Sequence, residues 1–130
     1  MSVFESEQAA AAALGRLAAD LWELESVRAG LRDSGLVVLF RYAKPDCLVS
    51  LAADGVVIGK EPERPATHTL RLTSSTAHAL WLGRIPVASA LTGGKVTIFG
   101  KMAAVPDLMN ILGPSFELYP KIAAELKIDE

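Results

Sequence analysis

The chain has 130 residues, of which 51% are hydrophobic and 22% charged, with 13 basic against 15 acidic side chains and one cysteine. That apolar share is enough to offset chain entropy and argues against disorder, and the length fits a single domain over residues 1–130. The lone Cys47 excludes an intrachain disulfide and a cysteine zinc site; no Lys/Arg run reaches three, which argues against nucleic-acid binding, and no stretch of 18 apolar residues announces a membrane span. Glu5 and Glu7 stand where a secretory leader needs cations, so a cytoplasmic protein is expected.

Residues 6 to 31 read as one long helix. Leu14, Leu17, Leu21 and Leu24 recur at spacings of 3, 4 and 3, Val27 and Leu31 extend the stripe, and Arg16, Asp20, Glu23 and Arg28 fill the other side. The character then changes. Leu36-Val-Val-Leu-Phe40 and Cys47-Leu-Val-Ser-Leu51 are short apolar runs around the turn residues Lys44-Pro45-Asp46, and Asp54-Gly55 leads into Val56-Val-Ile58. Asp-Gly between apolar runs marks a hairpin, because its turn needs positive φ twice. The middle of the chain is therefore expected to be an antiparallel meander of three strands, with alternating Thr67-His-Thr-Leu-Arg-Leu72 as a fourth.

Helical period returns after residue 72. Thr73 or Ser74 can cap a helix carrying Ala77, Leu80 and Trp81, with Gly83 as its stop. Pro86 suits the first position of a short helix with Val87, Ala90 and Leu91 on one face, and Gly93-Gly94 ends it. Lys95-Val-Thr-Ile-Phe99 reads as a fifth strand. Val105, Leu108, Met109 and Leu112 form a further helical stripe, Gly113-Pro114 breaks it, and Tyr119, Ile122, Ala123 and Leu126 form the last. Strands gathered with helices on one side give an α+β fold.

Chemistry is sparse. His68 and His78 belong to no metal-binding spacing, and ordinary structural histidines are the plainer reading. Gly94-Lys95 is not a phosphate loop, because Val96 follows the lysine and the segment enters a strand instead of opening a helix. Tyr42 and Asp46 flank one turn and would serve as an acid–base pair only if the fold converged them; a solvated turn aspartate is the simpler reading. Cys47 sits beside Leu48 and Val49, as a buried inert thiol does. What stands out is apolar crowding on short, breaker-rich helices in the C-terminal half, which reads either as plain core or as the wall of a cavity with adaptable methionines.

The stretch Leu70 to Gly100 resembles the sterol carrier protein type-two domain, the nonspecific lipid-transfer family. The features that carry the resemblance are the helix ending at Gly83-Arg84, the short segment with Ala88 or Ala90, and Gly94-Lys95-Val-Thr-Ile-Phe-Gly100. Lys101 stands where that family has an aspartate, and Pro106 and Gly113-Pro114 are unusual in its helical region. The resemblance implies an α+β fold: a five-stranded, mostly antiparallel sheet with helices over one face, enclosing an apolar tunnel for fatty acyl chains, acyl thioesters, sterols or other lipids. It implies no catalytic residue, no metal and no cofactor. Carried over by position, the tunnel lining is Trp81, Ile85, Leu91, Ile98, Met102, Leu108, Met109 and Leu112, with Phe116 and Tyr119 near a C-terminal lid. A small cone-shaped isomerase-like enzyme using Tyr42, Asp46 or a histidine is the first alternative. The second is an interaction module with a filled core, a homodimer formed through the Leu14–Leu24 helix among its forms.

Overall fold

A computed structural model of the chain describes residues 4–128; the two ends of the domain expected over 1–130 lie outside the described residues. The N-terminal helical run is α1 (Glu7–Ala10), a π-helical turn (Ala11–Gly15) and α2 (Arg16–Glu23). Ser6 caps it, its hydroxyl accepting from the Ala9 N–H at 3.1 Å. Ala10, Ala13, Leu14, Gly15, Leu17, Ala18 and Leu21 are buried, and these small residues let the run lie close to the sheet. A Cβ on Gly15 would meet the Ile58 side chain at 2.8 Å.

The expected single helix is broken. Leu24 is extended (ψ 125°), and α3 (Glu25–Ser34) starts after it. The break has visible anchors. The Trp22 indole donates to the Ala53 carbonyl at 3.3 Å, and the Arg28 guanidinium donates to the Trp22 carbonyl at 2.8 Å and to Glu25 at 2.9 Å. The apolar spacing conceals the kink because Leu21, Val27 and Leu31 are buried in one core on both sides of it.

Five strands follow: β1 (Val38–Ala43), β2 (Cys47–Ala52), β3 (Gly55–Ile58), β4 (His68–Thr73) and, later, β5 (Thr97–Phe99), in spatial order β3-β2-β1-β4-β5. The expected meander holds: β1 pairs with β2 and β2 with β3, both antiparallel. β5 pairs antiparallel with β4, but β4 lies parallel to β1. The sheet is therefore mixed. β1 begins two residues later than its apolar run suggests, because the Val37 N–H and carbonyl are taken by the Thr67 hydroxyl at 2.9 and 3.1 Å.

Strand alternation sorts the side chains. Val38, Phe40, Tyr42, Val49, Leu51, Leu70 and Leu72 share one face and form the core with the helices. Arg41, Leu39, Ser50 and Phe99 point the other way. The crossover from β3 to β4 runs over part of that second face, tied by ion pairs from Arg41 to Glu61 (2.8 Å) and from Arg64 to Asp54 (3.0 Å).

The rest is helical except for β5. α4 (Ser74–Trp81) is capped by Thr73, whose Oγ1 accepts from the Thr76 N–H at 3.0 Å, and the Ser74 hydroxyl donates to the Pro45 carbonyl at 2.8 Å. Thr73→Ala is expected to cost about 1 kcal/mol, as lost N-caps do; a urea midpoint shift with unchanged slope is the check. α5 (Val87–Thr92) follows, with Pro86 as its cap instead of its first residue. After β5 come a 3₁₀ turn (Met102–Ala104), α6 (Val105–Leu112) and α7 (Ser115–Leu126). On α7, Tyr119, Ile122 and Ala123 are buried while Leu126 is 39% exposed. Among the described residues no helix is long and apolar enough to cross a membrane.

Candidate functional site

A small apolar cavity lies between the sheet and the C-terminal helices. Its inner wall is buried: Leu70 from β4, Leu80 and Trp81 from α4, Val96 before β5, and Leu112 from α6. Its outer wall is partly exposed: Val87 and Leu91 from α5, Ile98 from β5, Met109 from α6 and Phe116 from α7. The lining is apolar almost without exception, and the void measures about 30 Å³. That holds about two waters at the ~10–15 Å³ each requires. The Phe116 ring stands edge-on to Trp81 at 5.5 Å and is 40% exposed, so it separates the void from solvent.

Trp81, Leu91, Ile98, Met109, Leu112 and Phe116, six of the positions expected to line a tunnel, surround this one void. The other four lie elsewhere. Ile85 is half-buried in the connection after α4, Leu108 faces the main core with no exposure, and Met102 is 69% exposed on the 3₁₀ turn. Tyr119 is fully buried beside His78. Leu70, Leu80, Val87 and Val96 line the void and were not expected to. Leu70 pairs directly with Ile98 across β4 and β5, so the two share a face, a register that the sequence does not mark.

Behind the inner wall lies a polar pair. His78 and Tyr119, 1% and 0% exposed, share a hydrogen bond of 2.7 Å from Nδ1 to the phenol oxygen, with Phe4 edge-on to the imidazole at 5.8 Å. Burial raises the Tyr119 phenol well above its ordinary range. It does the same to Tyr42, whose phenol faces the Trp81 indole. His68 is likewise held, Nε2 donating to the Lys101 carbonyl at 2.9 Å and Nδ1 lying 3.1 Å from the Thr67 hydroxyl. Tyr42 is buried on the helix face whereas Asp46 is exposed in the turn, and burial, with Glu7 nearby, pushes the Cys47 thiol up. Among the described residues no three His, Cys, Asp or Glu side chains group as metal ligands do.

No protein-family model matches the sequence, and no curated protein matches it. Solved structures do match in shape. Sterol Carrier Protein 2 from Yarrowia lipolytica, in its apo form, superposes with a TM-score of 0.60 at 16% identity, covering 81% of this chain and 90% of that one. The sterol carrier protein domain 2 of Helicoverpa armigera gives 0.58 at 16% identity, covering 73% and 77%. The UbiJ-SCP2 ubiquinone synthesis protein gives 0.53 at 12% identity, covering 78% and 85%. These likenesses show the fold: a five-stranded mixed sheet with helices packed on one face.

Proposed function

We propose that this chain, which has the sterol carrier protein 2 fold, is a non-enzymatic carrier of an apolar small molecule held between the sheet and helices α4–α7. The observation that carries the reading is the cavity wall: ten side chains from six segments converge with almost no polar surface among them. Such a wall has little to offer a polar substrate. It suits a fatty acyl chain, an acyl thioester, a sterol or, by analogy with the ubiquinone synthesis protein of this fold, a prenyl chain. The single buried Cys47 suits a reducing cytoplasm.

Each buried methylene is worth about 0.8 kcal/mol, so fifteen would gross roughly 12 kcal/mol. Association and ordering cost about 4–15 kcal/mol in return. Micromolar binding from shape alone is within reach, provided the cavity widens. At about 30 Å³ it is closed to any chain, far below the ~300–1,000 Å³ of ordinary ligand pockets. The widening element is the outer wall: α5 is bounded by Gly93-Gly94, α6 ends at Gly113-Pro114, and Phe116 is the second residue of α7. Parting Phe116 from Trp81 opens the void to solvent.

Native mass spectrometry of the purified protein, followed by organic extraction, is expected to find a stoichiometric apolar ligand. Phe116→Ala, by removing ring contact worth about 1.4 kcal/mol from the closed state, should speed uptake of a fluorescent fatty acid about tenfold. An empty protein that takes up no fatty acid in either form overturns the carrier reading. The small void would then be the residue of a filled core, and the interaction module becomes the better account.

A further inference from the structure

The overall charge of −2 conceals a segregation. From Arg64 to Pro106 there is no aspartate or glutamate, while Arg64, Arg71, Arg84, Lys95 and Lys101 all fall within that stretch. The stretch supplies β4, α4, α5, β5 and the 3₁₀ turn, which together make most of the cavity wall. Among the described residues Arg71, Lys95 and Lys101 make no ion pair, whereas Arg16, Arg28, Arg41 and Arg64 do. Of the acids that flank the stretch, Glu63 adjoins Arg64, and Asp107 lines a separate groove with Asp33 between α3 and α6; Asp46 lines a pocket together with Arg41 and Arg71.

Two large apolar side chains, three residues apart, are exposed near the end of this stretch. Phe99 is 49% exposed and Met102 is 69% exposed. Register places Phe99 and Thr97 on the face of the sheet without helices, where Thr97 pairs with Arg71. Lys95 and Lys101 bracket β5, and Met102 follows at once. β5 is also an edge strand, and its other side chain, Ile98, lines the cavity.

We propose that the segment Lys95–Met102, with Arg71 beside it, docks on an anionic lipid bilayer. Cations would lie among the headgroups and Phe99 and Met102 would enter the boundary beneath, as basic-and-apolar surface elements do. A nucleic acid would use the cations but would leave a protruding methionine without a partner. Docking does not require a filled cavity, so it stands apart from the carrier reading, although it would bring the Ile98 wall to the bilayer surface.

The test is sedimentation of the full chain with vesicles of phosphatidylcholine alone and with 30% phosphatidylglycerol, at low and high salt. Three unpaired cations, each worth roughly fivefold, predict a preference for the anionic vesicles on the order of 100-fold, lost as salt rises. Lys101→Glu should weaken binding about 20-fold and Met102→Ser severalfold, while Lys121→Glu on α7 should leave it unchanged. Met102 and Lys101 are exposed, so neither change disturbs the core. Equal sedimentation with both vesicles, none with either, or a gel shift of an oligonucleotide without vesicle binding would each overturn the proposal. Fatty-acid uptake measured without vesicles reports the carrier reading separately.

Discussion

Gly100→Ala is expected to lose about 3–5 kcal/mol of stability, enough to threaten a domain whose total lies between about 5 and 15. Gly100 has φ +133°, and a Cβ there would stand 2.5 Å from the Thr67 carbonyl oxygen and 2.6 Å from the His68 ring. Neither can retreat. Thr67 bridges to Val37, and His68 is fixed by its bonds to Thr67 and Lys101. Backbone strain of about 1–3 kcal/mol is joined by disturbance of buried hydrogen bonds worth about 1–3 kcal/mol when left unmade. Gly94→Ala is the control: φ is +75° but nothing lies within 4 Å of its Cβ, so it should carry the strain alone. Urea unfolding of both variants separates the terms. A Gly100→Ala loss no larger than that of Gly94→Ala would refute the close-packing account. The two glycines of the Gly94–Gly100 motif are thus required for different reasons, one by conformation and the other also by contact.

The second large effect is alkaline unfolding. Tyr42 and Tyr119 are 4% and 0% exposed. Burial disfavours the phenolate of each and raises both above the ordinary value of 10.0, with the Trp81 indole opposing the rise for Tyr42. Because the folded values are the higher ones, the contribution is intact below pH 10 and is lost as pH climbs, since the unfolded chain ionises first. Linkage gives about 1.4 kcal/mol per pH unit for each tyrosine, or about 2.7 for the pair. From pH 10 to 12 the loss reaches about 5 kcal/mol. The raised Cys47 thiol adds to it from about pH 9. Urea denaturation at a series of pH values should show a plateau to pH 9 and a steep fall above 10. Tyr119→Phe should halve the tyrosine slope at a cost of about 1–3 kcal/mol at neutral pH, where it removes the bond to His78. An unchanged alkaline slope in that variant would show that Tyr119 ionises without opening the fold.

Local signals in the sequence were dependable where one residue type has one physical use. Asp54-Gly55 made its hairpin, Thr73 its cap and Gly113-Pro114 its break. Signals that average over a stretch misled. The leucine stripe passes through Leu24 without marking the kink, because the interactions that set it come from Trp22, Ala53 and Arg28. The parallel pairing of β4 with β1 has no local signature, since it depends on the path of the crossover and on ion pairs far apart in sequence. The apolar crowding from Trp81 to Phe116 pointed to the region of the void, but the small volume is a property of packing that composition does not encode. His78 and Tyr119 are 41 residues apart, and nothing in either neighbourhood announces the bond. The acid-free stretch from Arg64 to Pro106 was legible throughout; a search for runs of cations passes over it because its charges are spaced apart.

The mixed sheet also bears on how the protein is made. β1 is flanked by β2, which follows it at once, and by β4, whose His68 aligns with Val38 across thirty positions of chain. During synthesis at roughly 5–20 residues per second, β1 therefore waits on the order of seconds with one edge open. That edge belongs to a strand carrying Val38, Leu39, Phe40 and Tyr42, and an open apolar edge is a template for pairing with another chain. A nascent chain halted before residue 68 would have the N-terminal helices and a three-stranded meander, yet its central strand would still be an outer one. Ribosome pausing in the crossover would be the moment of greatest exposure to aggregation, and a chaperone that shields extended apolar backbone would have its substrate there.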